Sequence, residues 1–139
     1  MVSETSARQS VFPNIKYVQP GAAIAFLAAA FGFEQHFLVT GEDGEVEHAQ
    51  LRVGSDLIFI SRDREDDRYN LLSPLSLKGG SQNLCVRVAD EELDEHQANA
   101  RTAGARIVSP IHDAPAGVRE YSCIDPEQHV WTFSGYAGE

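Results

Sequence analysis

Apolar and polar positions along the chain follow one pattern twice. Each half begins with a short alternating run, continues with a helical segment, and ends with three further strand-like runs. The helical segments stop at Gly32 and Gly104, because glycine readily takes the left-handed conformation that ends a helix. The first half is predicted to hold a strand at 14–18, a helix at 22–31 and three strands up to residue 60. The second half is predicted to hold a strand at 84–88, a helix at 91–103, and strands at 107–112, 118–124 and 130–133.

This duplication predicts the fold class. A βαβββ unit cannot bury both faces of its small sheet alone, so two such units are expected to pair. We therefore predict an α+β protein in which two βαβββ modules pair into a curved mixed sheet with an open cleft, where a small ligand would bind. The predicted parts of this one structural domain are a flexible tail at 1–10, a first module at 11–62, a linker at 63–80 and a second module at 81–136.

The charge balance narrows the class of ligand. The 139 residues carry 21 acidic and 11 basic side chains, with a formal net charge of −10 and a pI near 4.8. Such a surface repels nucleic acids and anionic membranes, so the expected partner is a neutral or cationic small molecule. No apolar run approaches the roughly 20 residues that span a bilayer, and residues 1–10 lack the apolar stretch of a signal peptide. We therefore expect a cytoplasmic protein.

Two local features bear on chemistry and motion. Cys85 and Cys123 fall within predicted strands without CxxC spacing, which favours two buried free thiols over a disulfide or a metal site. The mixed charge run at 62–68 precedes Pro74 and a pair of glycines. The segment from this charge run to the two glycines is either a solvated linker or a lid that closes on a ligand.

Three motifs occur in a fixed order within the repeat. They are Ala-Ala-Ile-Ala-Phe-Leu running into Ala-Phe-Gly-Phe at 22–33, Glu-His-Ala-Gln-Leu at 47–51, and Asp-Pro-Glu-Gln-His-Val-Trp at 125–131. With these motifs the chain resembles the vicinal oxygen chelate superfamily of glyoxalases, extradiol dioxygenases, fosfomycin-resistance enzymes and bleomycin-binding proteins. The last motif is similar to the closing Asp-Pro-x-Gly-His-x-Trp pattern of that family, but Gln128 stands where glycine is usual. The resemblance implies an open cleft that usually holds a divalent metal, and relatives commonly form dimers.

The positions that would hold this metal lack suitable donors. Metal-dependent relatives place His, Glu or Gln at the first and last strands of each module, because divalent ions need imidazole or carboxylate ligands. The resemblance puts these positions at Phe12 or Asn14, Ile58 or Ile60, Asn83, and Thr132. None of them is a histidine or a carboxylate. We therefore expect no metal and no other cofactor, and a divalent metal at a displaced site is the alternative.

Alternation along the strands assigns side chains to the cleft. Ala49, Leu51 and Val53 form an apolar face, so the residues between them point the other way. Trp131 and Phe133 are assigned to the core by the same reasoning. The repeat places Glu120 at the position equivalent to His48 in the first module. The predicted ligand-binding residues are His48, Gln50, Arg52, Asn83, Arg87, Glu120, Ser122 and Thr132.

The histidines divide into candidates for chemistry and for structure. His48 and Glu120 are the only candidate catalytic residues, as a proton-transfer pair or as two ligands of a displaced metal. The alternative is that His48 has no role in chemistry and forms hydrogen bonds only within its sheet. His129, in a tight turn, is expected to satisfy backbone groups there. His36, His96 and His112 are expected to face solvent.

These observations predict a protein that binds a small organic molecule, such as a cationic drug or metabolite, in its cleft without a metal. This function is close to that of the antibiotic-binding members of the family. The alternative is an enzyme, a metal-dependent lyase, isomerase or dioxygenase that uses His48 and Glu120. A structural module without a ligand is a third hypothesis. Exposed sheet edges favour a homodimer, and the cleft lies either within one chain or across two.

Overall fold

A computed structural model describes residues 8–138 and confirms the predicted α+β fold with two βαβββ modules. The first module contains β1 (Asn14–Tyr17), α1 (Pro20–Phe31), β2 (Glu34–Thr40), β3 (Val46–Val53) and β4 (Asp56–Arg62). A short helix, α2 (Pro74–Leu77), lies in the connection between the modules. The second module contains β5 (Asn83–Arg87), a 3-10 turn (Asp90–Glu92), α3 (Leu93–Ala103), β6 (Arg106–Ala114), a 3-10 turn (Pro115–Gly117), β7 (Val118–Ile124) and β8 (Val130–Ser134).

The two long helices end at the predicted glycines. Gly32 has φ +77° and Gly104 has φ +109°, and each N–H donates to a carbonyl of the last helical turn. Both values lie in the left-handed region that side chains with a Cβ avoid. The glycine stops therefore set where each helix turns back toward the next strand.

Each module forms its own four-stranded mixed sheet. The strand orders are β1-β4-β3-β2 and β5-β8-β7-β6, and the first strand of each module pairs in parallel with the last. The other neighbours are antiparallel. Because the orders correspond, the two modules are structural repeats, and strand β3 is equivalent to strand β7.

One hydrophobic core lies between the two modules. Helices α1 and α3 pack against each other, and side chains from the helix-facing sides of both sheets join a single buried cluster. Trp131 is fully buried, as the strand alternation predicts, and its ring centroid lies 5.5 Å from those of Phe31 and Phe33 in the first module. Phe31 also packs against Phe133 at 4.6 Å. Burial of these rings holds the modules together.

The shared core determines where the other sheet faces point. Since the helix-facing sides of both sheets meet in the middle, the opposite faces, called the outer faces below, point away from the core. All seven residues of β2 are exposed. Within one chain, the outer faces of the two modules therefore do not face each other.

A buried carboxylate links the modules beside this core. Asp125, with 2% of its surface exposed, accepts hydrogen bonds from the Tyr17 hydroxyl at 2.5 Å and from the Trp131 indole at 3.1 Å. Its other oxygen accepts from the backbone N–H groups of Glu127 and His129. Four donors compensate the desolvation of this charge.

A second carboxylate from the same turn reaches the start of α1. Glu127 accepts from the backbone N–H groups of Val18 at 2.6 Å and Gln19 at 2.8 Å, and from the Ser73 hydroxyl at 2.9 Å. A negative charge is favourable at the positive end of a helix dipole. The turn between β7 and β8 thus fixes both the first module and the connection to the second.

The connection between the modules is folded onto the first module. Asp63 accepts hydrogen bonds from the Ser73 backbone and the Ser76 hydroxyl, and Asp67 forms an ion pair with Lys16 at 2.9 Å. Two backbone N–H groups and Lys16 lower the pKa of Asp67 to about 2. Whether this connection is a linker or a lid that closes on a ligand stays a prediction.

The predicted tail falls partly outside the described part of the chain. Residues 1–7 lie outside it, whereas the Gln9 side chain exchanges two 2.7 Å hydrogen bonds with the backbone of Leu57. The last residues of the predicted tail are thus attached to β4. Within 8–138, no helix is long and apolar enough to cross a membrane.

Candidate functional site

The outer face of the first module is aromatic with two polar groups. His48 and Gln50 alternate with the buried Ala49 on β3, and their side-chain nitrogens lie 3.5 Å apart. The ring of His48 contacts Phe59 edge-on at 5.5 Å, and Phe12 stacks on the same Phe59 at 5.2 Å with an interplanar angle of 10°. This group of side chains can stack on a planar molecule and hydrogen-bond to its edge.

Strand β2 extends this face. Phe37 pairs with Gln50 and Val39 pairs with His48, and directly opposite residues of an antiparallel pair point to the same side. Phe37 is 50% exposed and Val39 is 41% exposed. Arg52 continues the polar row on β3, but its guanidinium turns to His36, with 2.9 Å between the two nitrogens.

The outer face of the second module is polar. Thr132 on β8 forms hydrogen bonds with the Ser122 hydroxyl at 2.8 Å and the Asn83 amide at 3.1 Å. Arg87 at the end of β5 is exposed, and it forms no ion pair within the described chain. The structure therefore brings together three of the predicted ligand-binding residues, with Arg87 on the same strand as Asn83.

Glu120 lies on this second face and not beside His48. Its carboxylate is 3.5 Å from the His112 ring, which also contacts the Pro110 carbonyl at 2.8 Å. Among residues 8–138, no hydrogen bond or ion pair joins His48 to Glu120. The pair that the repeat predicts therefore belongs to two different sheets within one chain.

The two cysteines differ in environment. Cys123 is buried in the core, as predicted, and burial raises the pKa of its thiol to about 12. Cys85 is exposed on β5, so the prediction of a buried thiol is wrong there. The alternation along β5 explains the difference, because the outer side of this strand is not covered by another element.

Two histidines take part in the structure between the modules. The prediction that His96 faces solvent is wrong, because its ring centroid lies 4.3 Å from that of Phe133 in a tilted contact and its Nδ1 lies 2.6 Å from the Tyr121 hydroxyl. Burial lowers the pKa of His96 to about 4, so it is neutral near neutral pH. The Nε2 of His129 donates to the backbone carbonyl of Lys16 at 2.7 Å, so it satisfies a backbone group of β1 and not one of its own turn.

A cavity of about 280 Å³ lies at the junction of the two modules and is called the junction cavity below. Its walls are β1, the connection from Asn70 to Gln82, and the starts of β5 and β8. None of the eight predicted ligand-binding residues lines it. The cavity therefore does not include the predicted ligand-binding residues, although Asn14, which pairs with Phe59, lies in its wall.

Known proteins similar to this chain identify its family. The family model of the glyoxalase/bleomycin resistance protein/dioxygenase superfamily matches residues 17–133. The chain belongs to this superfamily. The structure of TioX from Micromonospora sp. ML1 is similar at 30% sequence identity, with a TM-score of 0.69, over 94% of this chain and 98% of TioX. The superfamily assignment agrees with the fold and with the order of the three sequence motifs.

More distant members of the superfamily share the fold. A family enzyme from Burkholderia phytofirmans PsJN has 20% identity and a TM-score of 0.65, and covers 88% of this chain and 94% of its own. The fosfomycin resistance protein FosX from Listeria monocytogenes has 14% identity and a TM-score of 0.67, and the match covers 92% of this chain and 93% of FosX. Curated protein sequences give no match.

The side chains at the superfamily's metal positions do not suit a divalent ion. Asn14 pairs with Phe59 across β1 and β4, and Asn83 pairs with Val130 across β5 and β8. Amide and hydroxyl groups without imidazole or carboxylate partners hold such ions weakly. The described chain also contains no group of three or more His, Cys, Asp or Glu residues placed to hold one.

The sequence leaves Phe59 as one of two alternatives for the cleft side of its strand, beside the Ile58 and Ile60 pair, and it does not assign Phe12 or Phe37 to this face. The resemblance marks Phe12 only as a possible metal position, and the pattern around Phe37 does not indicate a side of its strand. A signal was present in the spacing of Phe12 and Asn14, which extends the alternation of β1 toward the N-terminus. Alternation in β2 is broken by register shifts between Gln35 and Phe37, so this strand gave no reliable signal.

Proposed function

We propose that this superfamily member binds a small planar organic molecule on the outer face of its first module, without a metal. The observation that carries the proposal is the stacked pair of Phe12 and Phe59 with His48 at its edge. Aromatic rings supply apolar contact and stacking, and the neighbouring Gln50 amide supplies a hydrogen-bonding group. Such a combination of apolar walls and a few polar groups is typical of small-molecule sites.

The charge of the protein favours a cationic ligand. The formal net charge of −10 attracts cations over distances of about one Debye length, which is roughly 8 Å at physiological ionic strength. A cation held against the face of Phe12 or Phe59 gains a further electrostatic attraction from the ring. Glu120 on the second outer face supplies a carboxylate for the same charge.

In this proposal, a cleft that is closed on both sides forms only between two copies of the chain. The two outer faces of one chain point away from each other, so the first module of one protomer would face the second module of its partner. The aromatic face would then meet the polar face that contains Ser122, Thr132 and Glu120. Exposed Phe37 and Val39 beside the site support this arrangement, because a partner would remove them from water. A two-fold axis would form two equivalent clefts.

The proposal is tested by titration with proflavine, a planar aromatic cation, followed by fluorescence anisotropy. Phe12→Ala is expected to weaken binding roughly tenfold, because it removes one ring of the stacked pair. His48→Ala and Glu120→Ala are each expected to weaken binding without unfolding the protein, since neither side chain belongs to the core. Leu75→Ala, at an exposed position on α2, is the matched control and should leave binding unchanged. Equal affinity in all four variants would refute the proposed site.

The alternative function is a metal-dependent lyase, isomerase or dioxygenase. FosX from Listeria monocytogenes has been solved with Mn(II), and it shares the fold at 13% identity and a TM-score of 0.66. In this chain His48 and Glu120 would have to meet across a dimer to form a displaced site. Elemental analysis of protein purified without chelator separates the two functions, because the enzyme requires a metal in near-stoichiometric amount. Metal-free protein that still binds proflavine would favour the binding function.

A further inference from the structure

The junction cavity has the size and position of a second small-molecule site. Its volume of about 280 Å³ is close to the lower end of the range for ligand pockets, which is about 300–1,000 Å³. The walls come from both modules and from the connection between them, and sites at such boundaries are common. A molecule of one ring with one substituent is therefore the expected size of occupant.

The cavity wall carries no unbalanced charge. Among residues 8–138, Lys16 is the one Lys or Arg that lines the cavity, and its ammonium is neutralised by Asp67 at 2.9 Å, where both side chains are largely shielded from water. The remaining wall is apolar, from Ile15, Leu84 and Val130, or consists of amide and hydroxyl groups, together with His129, whose Nε2 donates to the Lys16 carbonyl. Such a wall favours a neutral ligand, because a charged one would lose its hydration without gaining a counter-ion.

Primary amides provide the polar part of the wall. The side chains of Gln82 and Gln128 line the cavity, are exposed, and make no hydrogen bond with any other residue in the range 8–138. An amide group has both donors and an acceptor, so it pairs well with another amide or with a carbonyl group. The wall is therefore complementary to an apolar molecule that carries such a group.

The backbone at Gln128 adds an independent observation. Gln128 has φ +75°, a conformation that residues with a Cβ rarely adopt. The described chain has four non-glycine residues with positive φ, and two of them, Asn70 and Gln128, line this cavity. A third, Lys78, lines a shallow hollow beside it. Strained residues of this kind concentrate at ligand sites. Glycine would relieve the strain at position 128, but it would remove the amide from the wall.

We propose that the junction cavity binds a small neutral aromatic molecule with an amide or carbonyl group, and that the Gln128 amide hydrogen-bonds to that group. The lining of this site includes none of Phe12, His48 and Phe59, and the site does not depend on the ligand proposed for the outer faces. Gln128 contributes to specificity, because its side chain selects the polar group of the ligand while Leu84 and Val130 contact the ring.

The experiment is a ¹⁹F NMR titration with 4-fluorobenzamide. Gln128→Gly is expected to raise Kd roughly tenfold, through loss of the hydrogen bond, and to raise the melting temperature, through relief of the left-handed backbone. Lys78→Gly is the matched control, because Lys78 also has positive φ (+62°) but does not line the junction cavity. It should raise the melting temperature and leave Kd unchanged. A purely structural role for Gln128 would leave Kd unchanged in both variants and would refute the proposal.

Charged analogues and chemical-shift mapping complete the test. 4-Fluorobenzoate and 4-fluorobenzylammonium are expected to bind at least about tenfold more weakly than the neutral amide. The backbone amide signals of Leu84 and Val130 should shift on titration, and those of His48 and Phe59 should not. Equal binding of the three probes, or shifts at the first outer face alone, would overturn the proposal. Neither outcome would affect proflavine binding, so the two proposals fail separately.

Discussion

The Tyr17 hydroxyl donates a 2.5 Å hydrogen bond to Asp125, across the boundary between the two modules. Burial and the Asp125 carboxylate raise the pKa of Tyr17 well above its ordinary value, so the hydroxyl keeps its proton as a donor. The same turn places Glu127 at the start of α1. The Asp-Pro-Glu segment of the closing motif thus links the second module to the first.

Tyr17→Phe is expected to lower the free energy of unfolding by about 1.5–3 kcal/mol, the usual value for a hydrogen bond to a charged group. The Asp125 carboxylate retains the Trp131 indole and two backbone donors, so the fold should persist. Urea unfolding followed by circular dichroism measures the difference. Tyr69→Phe is the control, because Tyr69 is 72% exposed and its variant should stay within about 0.5 kcal/mol of the wild type. Equal losses in both variants would contradict the role of the link.

Trp131→Ala is expected to cost about 3–5 kcal/mol, as truncation of a large buried aromatic side chain does. The ring is fully buried and packs against Phe31 and Phe33, so its removal leaves a cavity between the modules. It also removes one of the two donors to the Asp125 Oδ2 atom, which keeps the Tyr17 hydroxyl. Thermal unfolding followed by calorimetry checks this. Tyr136→Ala, at a position that is 49% exposed, should change the melting temperature much less. An unchanged melting temperature for Trp131→Ala would mean that Trp131 does not pack in a core shared by the two modules.

Local sequence signals predicted the repeat, the glycine stops and the buried sides of most strands. Their success has a physical reason, because alternation and helix termination depend on residues close together in the chain. The packing of the modules depends on contacts such as Phe31 with Trp131, which are 100 positions apart and leave no local pattern. His96 was misassigned for this reason, since its polar neighbours suggest an exposed helix surface while its ring lies against Phe133.

The site was predicted less completely than the fold. Alternation placed His48 and Gln50 on the outer face, but it could not show that this face and that of Glu120 belong to opposite sides of one chain. The β-bulge in β2 prevents a prediction of the side to which Phe37 points, because an inserted residue reverses the side of all later residues in the strand. For the junction cavity the sequence contains one indication, which is the Gln128 residue that replaces the usual glycine of the closing motif.

Stability is expected to fall on acidification because of His96. Its pKa is about 4 in the folded protein and about 6.5 when unfolded, so the unfolded state binds more protons between these values. The neutral ring therefore contributes stability that is fully present above about pH 6.5 and is lost as the pH falls toward 4. With allowance for solvent screening of this partly exposed ring, the loss is on the order of 1–2 kcal/mol.

Urea unfolding of the wild type and His96→Gln at several pH values between 4 and 7 measures this contribution. Glutamine does not titrate, and it can still accept a hydrogen bond from Tyr121. The variant should therefore lose less stability than the wild type over this range, and the difference between the two curves isolates His96 from the carboxylates that titrate in both. Parallel curves would show that the ring is protonated as easily in the folded protein as in the unfolded chain.

Phe37→Lys is expected to convert the proposed homodimer into a monomer. The side chain of Phe37 is 50% exposed on the first outer face, next to Gln50, and association would bury it against the partner. A lysine there would lose its hydration at the interface, at a cost of several kcal/mol. Leu75→Lys introduces the same charge on α2, at a position that is 48% exposed, and should leave the dimer intact. Sedimentation equilibrium at micromolar concentration distinguishes the states. A monomeric wild type would refute the dimer, and a dimeric Phe37→Lys variant would show that the protomers associate through another surface, which would leave the aromatic face without the polar face opposite it.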